Sequence, residues 1–389
     1  MYSAMGTFVV LIALMTSTVT VCSVSRRFVN VQDFKECAKD NLHPHAYKYI
    51  ESVFTRGQTH DENIDAFKTF RLRPRHLRDV SHIDTSTTVQ GQAVDIPIGI
   101  SPSAFHKWFH PEGVIGTASG AAAKNALMIL SEVTGTPLEE VDRAVPHGHR
   151  WMQAYMVKPR SDMLRHIRRV EAAGYKAIVL TIDEVALRRI TYSNFEYPAS
   201  FDYVNVPRPV IGGSVGDVEN QIDTVTWDDV DWLKNVTRLP IILKGILTPE
   251  DAELAVRHGV DGVYVSNHGG RTLDGTTATI NALWDVVRAV RGRCEIYLDG
   301  GIRNGRDVYT ALALGAQAVF IGRPAIYGLA TNGSQGVQDV LDILTNELES
   351  TMALTGVTRV CDISPSYVVK QSYYENQFPS NRFSAKFFG

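Results

Sequence analysis

Residues Gly262–Gly275 read GVYVSNHGGRTLDG. The first four are apolar and mostly β-branched or aromatic, which predicts a short buried strand. The strand runs into His268, Gly269, Gly270 and Arg271, with Asp274 just beyond. Glycines let a backbone approach a ligand closely. Histidine exchanges a proton near neutral pH, and arginine offers a planar fork to a carboxylate or phosphate. An ordinary strand-to-helix turn with a surface His and Arg would carry the same residues, so the surrounding chain has to decide.

Working outward, the same strand–turn–helix unit repeats. Strands are expected at Ile96–Ser101, Leu127–Ser131, Trp151–Met156, Ala177–Asp183, Ile241–Gly245, Gly262–Ser266, Glu295–Asp299 and Ala318–Gly322. Amphipathic helices fall between them, at 111–124, 138–145, 161–174, 227–237, 249–259, 279–292 and 304–315, and 325–330 with 337–356 supplies the eighth helical layer. Gly174, Gly259, Gly292 and Gly315 stand where a left-handed residue closes a helix. Thr248-Pro249 and Lys158-Pro159 stand where helices start. Strict alternation of eight strands with helices predicts an α/β fold of the (β/α)8 TIM-barrel type. A doubly wound dinucleotide fold is disfavoured, because no G-x-G-x-x-G occurs. The expected layout is a hydrophobic N-terminal segment at 1–25, a mostly helical polar segment at 26–95, a barrel at 96–362 and a tail at 363–389. The Pro-, Gly- and Asn-rich stretch 184–225 is too long for a plain connection and suggests a lid or a disordered insert.

Composition is that of an ordinary globular protein: 389 residues, 44% hydrophobic, 21% charged, net charge −3. The absence of a basic excess removes the electrostatic case for nucleic acid. Cys22, Cys37, Cys294 and Cys361 are scattered, without C-x-x-C, so neither a disulfide framework nor a metal site is indicated. Residues 1–25 fit a cleaved signal peptide, a signal anchor, or an extension without structure of its own. N-x-[ST] matches occur at Asn235 and Asn332, a pattern common by chance. The basic cluster Arg71–Arg78 is expected to be a solvated loop or a subunit contact, and the tyrosines of 43–55 are expected mainly in packing.

Active sites of (β/α)8 barrels lie at the carboxyl ends of the strands. Here those ends carry Pro102-Ser103-Ala104, Ser131, Gln153 and Tyr155, Thr181 and Asp183, Lys244, Ser266 with His268 and Arg271, Asp299-Gly300-Gly301-Ile302-Arg303, and Gly322-Arg323. Buried charge is costly unless paired or used, so a purely structural barrel has no reason to gather Lys, Asp and His at one rim. The Gly-and-Arg turns after strands seven and eight suit a phosphate group, which predicts a phosphorylated cofactor at the barrel mouth.

The motifs SNHGGRTLDG, LPIILKGI, LDGGIRNGRD and FIGRP, with SPSAFHKWFHPEG upstream, resemble the FMN-dependent 2-hydroxy-acid oxidase and dehydrogenase family. The resemblance spans roughly Asn30 to Asp362 and is strongest to animal and plant oxidases. It implies FMN as cofactor, a small 2-hydroxy acid as substrate, O2 reduced to H2O2, and a homotetramer. Within it, His268 takes a proton from substrate, Asp183 pairs with the imidazolium, and Arg271 grips the substrate carboxylate. Tyr49 and Tyr155 hydrogen-bond the substrate, and Lys244 stands by the flavin and stabilises its reduced form. Pro102, Ser103, Ala104, Ser131, Gln153, Thr181 and Ser266 line the ring, while Asp299, Gly300, Gly301, Arg303, Gly322 and Arg323 hold the ribityl phosphate.

Two departures stand out. The run after Asp183, Glu184-Val185-Ala186-Leu187-Arg188-Arg189, is shortened; Arg189 best matches the family's second substrate arginine, with Arg188 competing. Val133 stands where glycolate-preferring members carry tryptophan, which implies a medium- or long-chain substrate. A dehydrogenase with another electron acceptor and a flavin-binding barrel impaired by the shortened run remain open as alternatives. Peroxisomal relatives carry an S-K-L-type tail, which Ala385–Gly389 does not match; a functional N-terminal segment implies secretion or membrane anchoring instead.

Overall fold

The computed structural model describes residues 27–184 and 195–377. Eight strands form a closed barrel: β1 (Ile98–Ile100), β2 (Leu127–Ser131), β3 (His149–Ala154), β4 (Ile178–Thr181), β5 (Ile241–Ile246), β6 (Gly262–Val265), β7 (Glu295–Leu298) and β8 (Ala318–Ile321). All neighbours are parallel, and β5 pairs with β4 just as β8 pairs with β1, which closes the ring. Every expected strand and inter-strand helix is present, with ends differing by a few residues. The last helix, Arg323–Thr355, breaks at Asn332 and Gly333, which leave helical geometry.

The barrel is solved by parity. Side chains alternate across a strand, so every second residue points inward. Leu127, Ile129, Trp151, Val179, Ile242, Tyr264, Tyr297, Ala318 and Phe320 form the interior cluster. Their neighbours Met128, Leu130, Met152, Leu180, Leu243, Val263, Leu298 and Val319 join the larger cluster under the helices. Aromatic rings fill the interior: Trp151 meets Tyr297 edge-on at 5.3 Å, and Phe320 lies 5.1 Å from Tyr264. At roughly 1.5–3 kcal/mol for each fully buried large apolar side chain, these two shells dominate the favourable side of folding.

The segment before the barrel departs from the mostly helical expectation. Helices α1 (Val31–Asn41), α2 (Pro44–Glu51) and α3 (Gln58–Asp65) are followed by strands. Phe70–Leu72 pairs with Val368–Lys370 near the other end of the chain, and Thr87–Val89 pairs with Gln92–Val94 in a hairpin. The hairpin turn is Gln90-Gly91, both with positive φ, a two-residue turn that matches strand twist. Val89 and Val94 plug the lower end of the barrel. Gln90 follows them in, donating to Glu295, to the Asp261 carbonyl and to Tyr297. Residues 73–78 of the basic cluster form an exposed loop, as expected, and the cluster is anchored to the C-terminal segment. Arg71 reaches Gln371, Arg75 reaches Ser366, and Arg78 donates to Tyr367, so the arginines fasten the C-terminal segment.

The described part of the long insert is folded. It holds an antiparallel hairpin (Phe201–Tyr203 with Val210–Gly213) and a short helix, Val215–Glu219. Among the described residues no helix is long and apolar enough to cross a membrane. The N-terminal apolar segment, Arg188, Arg189 and the tail beyond residue 377 lie outside the described residues.

Candidate active site

The parity that packs the barrel also builds its mouth. Continued by one more inward position, the strands present Ser101, Ser131, Gln153, Thr181, Lys244 and Asp299, and Gly322 above β8. Register keeps them level: Ser131 stands beside Gln153, and Thr181 beside Lys244. These residues line a cavity of ≈ 240 Å³ together with Pro102, Ser103, Ala104, Tyr49, Tyr155, His268, Arg271, Gly300, Gly301, Arg303 and Arg323. Asp183 and Ser266 stand behind the wall. Ser266 does not line the cavity; its Oγ accepts from the His268 backbone N–H at 3.1 Å.

At the centre, His268 Nδ1 lies 2.9 Å from Asp183 Oδ1, and Lys244 Nζ lies 4.0 Å from Asp183 Oδ2. Burial opposes charge on Asp183, but Lys244 and the His268 hydrogen bond outweigh it and hold the carboxyl below its usual range. An ionised Asp183 only accepts hydrogen bonds, so Nδ1 carries the imidazole proton and Nε2 is left as the basic nitrogen. His268 itself has φ +57 and is followed by Gly269 and Gly270, also left-handed. A non-glycine residue there is held against its preference by its surroundings.

Those surroundings come from the N-terminal helices. Asn267 and Asn63 of α3 exchange side-chain hydrogen bonds at 2.8 and 2.9 Å. Asp274 accepts from Thr55 Oγ1 and from the backbone N–H groups of Arg56, Gly57 and Thr59. Arg271 donates to the Tyr49 carbonyl at 2.8 Å, and its guanidinium lies 4.7 Å from the Tyr49 ring centre. Arg323 donates to the carbonyls of Ile50, Ser52 and Gly269. The two arginines thus satisfy carbonyls at the C-terminus of α2, where cations are favoured. Gly301 marks the tightest approach of this stitching, since a Cβ there would stand 1.9 Å from the Asn63 carbonyl oxygen.

Several cavity features suit a flat, polar, phosphorylated group. Gln153 Nε2, Thr181 Oγ1 and Asp299 Oδ1 are buried at or beside the cavity without a protein partner. Buried polar atoms are normally satisfied, so these are open to a bound molecule. A Cβ built on Gly322 would meet nothing nearer than 3.9 Å, which leaves room beside the N-terminus of the helix that starts at Arg323. Arg271, Arg303 and Arg323 gather at that end; burial first, then Arg271 and Arg303, lowers the Arg323 pKa to about 10.

Other contributors were not among the expected site residues. His106 is buried, with burial lowering its pKa to about 4, so it is neutral. Its Nε2–H donates to the Ser103 carbonyl at 2.9 Å and its Nδ1 accepts from Thr117, which fixes the Pro102–Ala104 turn. His60, Phe105, Phe109, Tyr197, Tyr203, Val215, Val218 and Ile222 complete the walls, the last five from the insert. Burial, followed by Glu184 and Asp183, raises the Tyr155 phenol well above its ordinary value, so it is a proton donor. Among the described residues no group of His, Cys, Asp and Glu is placed to hold a metal ion.

Comparison with known proteins matches residues 38–370 to the family model described as FMN-dependent dehydrogenase. 2-Hydroxyacid oxidase 2 of Bos taurus is 45% identical over 345 residues, 87% of this chain and 98% of the relative. Glycolate oxidase 1 of Zea mays is 42% identical, over 90% of this chain and 98% of the relative. The crystal structure of mandelate oxidase superposes with TM-score 0.79 at 33% identity, covering 86% of this chain and 96% of that one.

Proposed function

The chain belongs to the FMN-dependent dehydrogenase family, and from that membership we propose that it oxidises a 2-hydroxy acid to the 2-oxo acid, reducing O2 to H2O2. The observation that carries the reaction is one cavity holding a base, a carboxylate grip and a buried cation: His268, Arg271 and Lys244. Bound FMN supplies a two-electron acceptor that oxygen can re-oxidise.

The chain's own residues account for the rest. Arg271, oriented by the Tyr49 carbonyl, is the cation for the substrate carboxylate; hydrogen bonds to charged groups contribute about 1.5–3 kcal/mol. Tyr49 and Tyr155 complete the grip. His268 Nε2 takes a proton from substrate, and Asp183 stabilises the imidazolium that forms. Lys244, in the cavity wall, would stabilise negative charge on the bound flavin. Pro102–Ala104, Ser131, Gln153 and Thr181 pack the ring. Gly300, Gly301, Arg303, Gly322 and Arg323 take the phosphate, with Arg323 acting mainly through its backbone because its side chain is tied to three carbonyls.

Val133, Phe105, Phe109, Val215 and Val218 give the cavity an apolar lining, alongside Glu184 and Glu219. A medium- or long-chain 2-hydroxy acid fits that surface better than glycolate. Comparing turnover of glycolate and 2-hydroxyoctanoate tests this: faster turnover of the eight-carbon acid is expected, and a clear preference for glycolate overturns it. A homotetramer belongs to the same proposal, and sedimentation of the holoenzyme at four chain masses checks it. A peroxisomal or secretory location is decided by fractionating cells that express the full chain.

A further inference from the structure

Tyr264 is the one inward-facing residue of β6 between the strand's start and Ser266, and it is wholly buried. An apolar ring would pack there equally well beside Phe320 and under Lys244, whose Nζ lies 6.0 Å from the Tyr264 ring centre. The hydroxyl is therefore what needs explaining, since burying one without a partner costs roughly 1–3 kcal/mol. Its partner is Ser101 Oγ at 3.1 Å. Ser101 Oγ in turn donates to Asp299 Oδ2 at 3.2 Å. Serine has one hydroxyl proton. With that proton directed at Asp299, Tyr264 can donate to Ser101, and its hydroxyl also bonds the Asp299 carboxylate directly, so the two hydroxyls hold one carboxylate. Burial, with the Asp299 carboxylate next in weight, raises the Tyr264 phenol well above its ordinary value and keeps it a donor. Thr279 Oγ1 meanwhile fixes the Asp299 backbone through its carbonyl at 2.6 Å. The result is a carboxylate with one oxygen pinned and the other, Oδ1, buried and unpartnered at the cavity.

We infer that Tyr264 and Ser101 are positioning residues that lock the Asp299 carboxylate so that Oδ1 accepts from a hydroxyl of the FMN ribityl chain. This rests on the proposed role of Asp299 in holding the cofactor. The polyol of that chain is the donor-rich part of FMN, and Asp299 leads directly into the Gly300-Gly301 turn assigned to the phosphate.

The test is FMN binding by apo-protein, followed by flavin fluorescence, with the melting of each apo-protein recorded alongside. Tyr264→Phe keeps the ring under Lys244 and removes one oxygen. It is expected to weaken FMN binding about three- to tenfold, the size of one net hydrogen bond, and Ser101→Ala at least as much. The double variant is expected to lose less than the sum of the two single losses, because both hydroxyls hold the same carboxylate. Asp299→Ala, or Asp299→Asn if the alanine variant does not fold, is expected to lose at least tenfold. If Asp299 variants weaken binding while Tyr264→Phe and Ser101→Ala bind as the parent does, the positioning role is wrong and the role of Asp299 stands. If Asp299 variants bind FMN normally, the role of Asp299 falls, and the positioning role with it. Fully additive losses in the double variant also overturn the positioning role.

Discussion

The lower and upper halves of the barrel interior are built from the same strands on the same parity, yet they treat polar groups in opposite ways. In the lower half, Tyr297 donates to Glu295, and Gln90 spans Glu295, Tyr297 and the Asp261 carbonyl. Among the described residues, the Trp151 indole N–H and Gln92 Nε2 of the plugging hairpin are left over there. In the upper half, Gln153 Nε2, Thr181 Oγ1 and Asp299 Oδ1 have no hydrogen-bond partner among the described residues. The unpartnered polar atoms of the upper end gather around one cavity, which suits a bound ligand, whereas those of the lower end do not. The lower half holds the barrel together, and the upper half is held by it.

That contrast makes separable predictions. The largest concerns the upper half: His268→Gln should retain FMN yet slow flavin reduction by substrate about 10²–10⁴-fold, the usual size of a general-base contribution. Near-parental reduction in rapid mixing would remove His268 from the chemistry. Next is a pH effect on stability. Burial lowers His106 and His166 to about 4 in the fold, against ~6.5 for the unfolded chain. Between those values the unfolded chain binds more protons, so their stabilisation is complete above ~6.5 and is lost as pH falls towards 4. Their share of the slope is up to about 2.7 kcal/mol per pH unit, or two protons, opposed by buried Asp307, whose carboxyl is pushed up to about 6; an unchanged denaturant-unfolding profile in the His106→Asn and His166→Asn variants would contradict neutral, buried imidazoles. Third, Val133→Trp should cost the eight-carbon acid about tenfold in kcat/KM relative to glycolate, the scale of lost or blocked apolar contact. An unchanged ratio would move the specificity wall elsewhere. The smallest lies in the lower half. Tyr297→Phe should cost about 1–3 kcal/mol of stability, because Glu295 and Gln90 lose a partner, and leave FMN affinity alone. Weaker FMN binding in that variant would break the division between the two halves.

The barrel was legible because its strands are short apolar runs that stop on polar residues, and a period of two then sends those residues inward. His268, Arg271, Lys244 and Asp299 could be picked out for that reason. The hairpin Thr87–Val94 was not, although its Gln-Gly turn was a usable signal. The roles of Asn63, Asp274 and His106 were illegible for a different reason. They act across more than 200 residues of sequence or through a single carbonyl, so even inside a recognisable motif, where Asp274 and His106 stand, nothing local shows the partner. Tyr264 was hidden by its setting, since in an apolar run its ring explains its presence and only the fold shows where its hydroxyl goes.

The most direct measurement is anaerobic mixing of the purified yellow protein with 2-hydroxyoctanoate, followed by admission of air. The expected result is bleaching of the bound flavin, then recovery of colour with one H2O2 formed per 2-oxo acid. A flavin left unbleached by every 2-hydroxy acid, from glycolate to mandelate and 2-hydroxyoctanoate, would contradict the assignment of the upper half as an oxidase site.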